Sequence, residues 1–154
     1  MSVLQLTGAV YQAIRAHGEE AWPRECCGAL LGLSAPQVWR VEAAVRAGNA
    51  RVDSAHNRYS IGGEELVAMV REARRRGLEI AGFYHSHPDQ PAQWSALDLA
   101  EAHWQGCCYV ITAVAEGKAT VTHSYLLAGA GAESMHFEPQ TILVEGEVPG
   151  PGCK

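Results

Sequence analysis

A mixed α/β (α+β) fold, one central β-sheet flanked by helices, is what this sequence predicts. Short β-prone runs bounded by Gly and Pro turns recur along the chain, and segments with apolar residues at helical spacing lie between them. The 154 residues, 47% of them apolar, suit one buried core and leave little room for two. The reading assigns residues 1–145 to a single domain and residues 146–154 to a flexible Gly/Pro-rich tail.

The elements follow in order. Leu6, Val10, Ile14 and His17 stand at helical spacing, which predicts an amphipathic N-terminal helix over residues 3–17. It stops near Gly18, with His17 set to meet the helix dipole. Trp22-Pro23 breaks the chain. Cys26 to Leu33, punctuated by Gly28 and Gly32, reads as a buried strand, and Val38 to Val45 as its partner across the Ser34-Ala35-Pro36 turn. Residues 47–57 form a polar loop, followed by a short extended piece, Arg58-Tyr59-Ser60-Ile61. From Glu64 to Arg76 the apolar positions Leu66, Val67, Met69, Val70 and Ala73 mark a helix, with Gly77 as its stop. Leu78 to His87 is a strand, and Pro88, Gln90 and Pro91 open a loop. A helix runs from Ser95 to about Trp104. Tyr109 to Val114 and Thr120 to Leu127 are strands joined through Glu116-Gly117-Lys118; Met135 to Phe137 and Ile142 to Val144 are weaker strand candidates.

Composition excludes several classes. No apolar run approaches the roughly 18 residues of a membrane span. The first residues lack the basic start and apolar core of a secretory signal, so the expectation is a cytoplasmic protein. The net charge is −5, and the one dense basic run, Arg71, Arg74, Arg75 and Arg76, reads as a solvated helix end. Nucleic acid is therefore not expected as a partner. The five cysteines include the vicinal pairs Cys26-Cys27 and Cys107-Cys108 but no C-x-x-C. Neighbours on a strand point to opposite faces, so these pairs read as small core residues rather than metal ligands.

The chemistry is concentrated in His85-Ser86-His87-Pro88, then six residues, then Ser95-Ala96-Leu97-Asp98. Residues i and i+2 at a strand end aim both rings to one side, so two imidazoles can converge on one ion. Asp98, in the first turn of the next helix, would supply a third ligand. Two histidines and a carboxylate leave one of four tetrahedral places open, the composition of a catalytic rather than a structural zinc. A base is then needed to move the proton of the attacking water. Glu25, just before the Cys26 strand, is the candidate. Each piece also has a plainer reading. Seven histidines make one H-x-H unsurprising, and Ser95-x-x-Asp98 is equally an N-capping box. His56, His103, His123 and His136 lack partners at metal spacing. Trp22, Trp39, Trp94 and Trp104 read as core or cleft walls, Trp94 being the one nearest the motif.

Glu25, His85, His87, Pro88, Ser95 and Asp98 together reproduce the signature of the JAB/JAMM (MPN+) zinc metalloproteases, which this sequence resembles over roughly residues 2–127. The stretch Pro23-Arg24-Glu25-Cys26-Cys27-Gly28-Ala29-Leu30-Leu31-Gly32 is similar to that family's first strand. Asn49-Ala50 and Arg58-Tyr59-Ser60-Ile61 are similar to the segment before its central helix in the short prokaryotic members. The resemblance implies a JAMM/MPN-like (cytidine-deaminase-like) sandwich. It implies Zn2+ on His85, His87 and Asp98, Glu25 as base, and Ser95 as donor to the oxyanion or the water. It further implies peptidase or isopeptidase activity at the C-terminal glycine of a ubiquitin-like or sulfur-carrier protein ending in Gly-Gly, with a homodimer among the admissible assemblies. Two other readings stand beside it. A non-catalytic MPN-like binding module is disfavoured by the complete ligand set, and a DNA-repair-associated relative sharing H-x-H-P is disfavoured by the acidic balance.

Overall fold

The computed structural model describes residues 2–48 and 61–146, and seven strands and three helices lie among these described residues. The order is β1 (Val3–Thr7), α1 (Gly8–Ala21), β2 (Cys27–Ala35), β3 (Val38–Ala47), α2 (Gly63–Arg75), β4 (Glu79–Pro88), α3 (Ala96–Glu101), β5 (Cys108–Ala115), β6 (Lys118–Ala128) and β7 (His136–Glu145). A short 3-10 turn, Ala132–Ser134, precedes β7. The expected strand at Arg58-Tyr59-Ser60, most of the 47–57 loop, and the tail from residue 147 lie outside the described residues.

The sheet is mixed, as expected, and it closes on itself in the order β1-β3-β2-β4-β5-β6-β7. Closure runs through β1, which pairs in parallel with both β3 and β7. This corrects the expectation of a helix from residue 3. Leu4 and Leu6, two apart and fully buried, line one side of a strand. The helix begins only where the Thr7 hydroxyl accepts the Val10 amide (3.1 Å). Helical spacing from Leu6 to Val10 straddles the boundary between two elements.

The sheet carries a core on each face. Along β5, Cys108 and Val110 join Val10 and Ile14 of α1, whereas Tyr109, Ile111 and Ala113 join Met69 of α2. The vicinal cysteines split the same way: Cys26 and Cys108 to the α1 side, Cys27 and Cys107 to the other. All four are buried free thiols, and burial pushes Cys26 and Cys107 up to about 11 and Cys27 and Cys108 up to about 12. That is the state of core residues.

Gly18 does not end α1, which continues to Ala21. A Cβ there would lie 3.0 Å from Val114 and 3.3 Å from Ser86, so this glycine lets the helix approach the back of β4 and β5. Gly77 does terminate its helix, in the left-handed region (φ 72). α3 is shorter than expected. Beyond Ala102, Trp104 packs edge-on against Phe83 (5.2 Å) and its amide donates to the Tyr109 hydroxyl (3.1 Å). The two weak C-terminal strand candidates are one strand, β7, running through Pro139. Among the described residues no helix is long and apolar enough to cross a membrane.

Candidate metal centre

β4 positions two of the ligand candidates. It is hydrogen-bonded on one side to β2 and on the other to β5, with His85 across from Ile111 and His87 across from Ala113. Alternation sends both imidazoles to the α2/α3 side, while Tyr84 and Ser86 face α1. The rings are buried, and their Nε2 atoms stand 3.1 Å apart.

Asp98 reaches the same point from α3. Its Oδ1 lies 3.3 Å from His85 Nε2, and its Oδ2 lies 3.3 Å from His87 Nε2. Bonds of about 2.0–2.1 Å at tetrahedral angles separate ligand atoms by roughly 3.3 Å. The three side chains already have that spacing, so the donor set fits zinc. His87 is also oriented as a ligand, because its Nδ1 donates to the Pro91 carbonyl (2.8 Å) and leaves the Nε2 lone pair facing the cluster.

The three groups shift one another's titration. Burial pushes the Asp98 carboxyl up, but hydrogen bonds from His85 and His87 outweigh it and hold the carboxyl well below the usual carboxylate range. Burial dominates at His85 and lowers it. At His87 burial is opposed by Asp98 and by the Pro91 carbonyl, and the net direction is upward.

Glu25 enters through strand register. Cys27 pairs with His85. One row on, the Ser86 amide donates to the Cys26 carbonyl (3.2 Å), and the Ser86 hydroxyl accepts the Cys26 amide (2.9 Å). Glu25 directly precedes this row, and its buried side chain lies within electrostatic reach of His87, Asp98 and Glu101. The carboxyl is 5% exposed, and burial pushes it up to about 8, against the charge of His87 and together with those of Asp98 and Glu101.

Ser95 is the N-cap of α3. Its hydroxyl accepts the Asp98 amide (3.0 Å), and its own amide donates to Asp98 Oδ2 (2.8 Å). The capping box is real, and it fixes the carboxylate that meets the histidines. The Ser95 hydroxyl proton is not used by the box.

The family model described as prokaryotic homologs of the JAB domain matches residues 7–127. The chain belongs to that prokaryotic JAB family. This JAB-family chain is 32% identical, over 114 residues, to a desampylase of Haloferax volcanii, covering 71% of this chain and 80% of the relative. The solution structure of a Desulfitobacterium hafniense protein matches with a TM-score of 0.77 at 27% identity, and that of a Salinibacter ruber protein with 0.68 at 36%. Each covers 94% of both chains.

Other sequence candidates of the JAB-family chain fall outside the cluster. His17 is not a dipole partner at a helix end. It lies within α1 and hydrogen-bonds the Tyr84 hydroxyl (2.8 Å), and burial lowers it to about 4, so it stays neutral. His103 is exposed; His136 pairs with Glu138 (2.9 Å); the His123 Nδ1 donates to the Ala92 carbonyl (3.1 Å). His56 lies outside the described residues. Trp94 packs on Phe137 (5.5 Å), and Arg75 and Arg76 pair with Glu72 on the surface. Sequence reasoning missed the Pro91 carbonyl, Ser86 and Glu101. Only Glu101 had a legible signal, since it lies one helical turn beyond Asp98.

Proposed function

We propose that this protein is a zinc-dependent peptidase or isopeptidase that hydrolyses the amide after the C-terminal glycine of a ubiquitin-like or sulfur-carrier protein. The observation that carries this is the convergence of His85, His87 and Asp98 at tetrahedral ligand spacing. Similarity to a desampylase supports a small protein modifier as the substrate class.

His85 Nε2, His87 Nε2 and one Asp98 oxygen would hold the ion. Bound zinc supplies a Lewis acid and brings the pKa of water towards neutrality. Glu25 acts as the base: a buried carboxylate raised to about 8 takes a proton far more readily than an exposed one. It receives the proton of the attacking water and passes it to the departing amine, so the products are a free carboxylate and an amine. The Ser95 hydroxyl proton is the donor for the developing oxyanion. A flexible Gly-Gly tail offers backbone groups and no side-chain bulk, which suits an extended entry beside the buried carboxylate.

The test uses carrier proteins extended beyond their Gly-Gly by cysteine, by a short peptide or by an isopeptide-linked lysine, read by mass spectrometry. Cleavage after the second glycine, lost on chelation and in Glu25→Gln, is expected. Cleavage that persists in Glu25→Gln would remove Glu25 from the mechanism.

A further inference from the structure

The loop between β4 and α3 sets the carbonyl that orients His87, and this loop is itself tied down by a residue outside the ligand set. Asp89 directly follows Pro88 and turns the chain through the left-handed region (φ 54), a conformation Asp tolerates better than most residues. Its amide donates to the Val114 carbonyl (2.7 Å), the last rung beside β5. Its carboxylate then accepts from two distant parts of the chain. Oδ1 takes the amide of Glu116 in the β5–β6 turn (2.8 Å), and Oδ2 takes the indole N–H of Trp22 at the end of α1 (3.1 Å). Three bonds from three elements fix one residue, two of them charge-assisted.

Two residues later the Pro91 carbonyl accepts from His87 Nδ1 (2.8 Å). One residue beyond that, the buried Ala92 offers its carbonyl to the Tyr125 hydroxyl (3.1 Å) and to His123 Nδ1 (3.1 Å). The loop is therefore clamped on both sides of the carbonyl that His87 uses.

We propose that Asp89 is a positioning residue of the metal centre: its carboxylate, latched to Trp22 and Glu116, holds the β4–α3 loop so that the Pro91 carbonyl fixes the tautomer and ring angle of His87. This rests on the zinc reading above. It predicts an effect on metal binding by a residue that is not a ligand.

Zinc alone is the probe, applied to the full chain in competition with a chromophoric chelator, with cobalt(II) absorption as the report on geometry. Asp89→Gly deletes both acceptors without straining the turn. Loss of an outer-shell partner weakens metal binding about 10–100-fold, and that deficit is expected here, with weaker tetrahedral cobalt bands and an apo melting curve close to wild type. Asp89→Asn keeps an acceptor for the Glu116 amide and should restore most of the affinity. Wild-type affinity in Asp89→Gly overturns the latch, as does a deficit that Asp89→Asn shares in full. Should Asp89→Gly not fold, Trp22→Phe carries the test, and unchanged zinc affinity there overturns it. Absence of zinc uptake by the wild-type chain overturns the metal centre and the latch together; the preceding outcomes overturn the latch alone.

Discussion

The two halves of the candidate metal centre are built differently. His85 and His87 sit on a ten-residue strand paired along both edges, with α1 pressed against its back through Gly18. Asp98 sits on a six-residue helix that buries no residue, held by the Ser95 capping box and by the histidines themselves. A helix that short is not stable by propensity, and its position depends on local hydrogen bonds and on whatever it grips. The strand half is thus preformed, whereas the helix half is fastened by the site it completes. Glu25 lies beside the preformed half, because it directly precedes Cys26, which is bonded to Ser86 of β4.

Five measurements would break or sharpen that contrast. The largest effect is on turnover. Glu25→Gln should lower kcat by about 10²–10⁴ while zinc uptake stays at wild-type level. A parallel loss of zinc would move Glu25 into the ligand set. In the wild type, activity should be lost as pH falls and the carboxylate is protonated, with the acid limb between the ordinary 4.5 and about 8. The pH–rate profile checks this.

Removal of the ion should come next. Hydrogen exchange after chelation should speed up at the α3 amides and leave β4 protected. Equal loosening of both would show that the strand half is not preformed.

Ser95→Ala should cost about 1 kcal/mol in chemical unfolding as a lost N-cap and should weaken zinc binding, because the first turn of α3 that carries Asp98 loses the hydroxyl that accepts the Asp98 amide. A stability loss with unchanged zinc affinity would separate capping from the site.

The smallest effect tests the back of β4. The folded chain holds His17 at about 4, against 6.5 when unfolded, so the native state refuses a proton that the unfolded chain accepts. Stability from this group is complete above pH 6.5 and is lost as pH falls towards 4. The ring is half-buried and screened, which reduces the cost to about 1 kcal/mol. Chemical unfolding at pH 7 and 4.5 should show His17→Gln losing less stability than wild type. An identical loss would mean that burial does not hold His17 below its unfolded value.

The cluster of His85, His87 and Asp98 was legible because each half follows from local rules: period two puts His85 and His87 on one face, and a capping box puts Asp98 in the first turn of a helix. The hidden features each depended on a partner distant in sequence. Leu6, Val10 and Ile14 satisfy a helical period while belonging to two elements, and only pairing of β1 with β3 and β7 decides where the strand stops. Pro139 argues against a strand by composition. It is tolerated because Pro139 pairs only with Tyr125 of β6 and the β1 pairing starts at Thr141.

By itself the sequence determined the alternation of strands and helices, the family signature, and three donor groups of the right kinds. Those follow from short-range periodicity and side-chain chemistry, which survive in any conformation. Tertiary structure alone decided that the sheet closes, that a buried Glu25 comes within electrostatic reach of His87 across 62 residues of chain, and that Asp89 bonds Trp22 and Glu116 beside the proposed ligand His87. Such pairings are set by register and packing between segments, and no local pattern encodes which distant backbone a strand will meet.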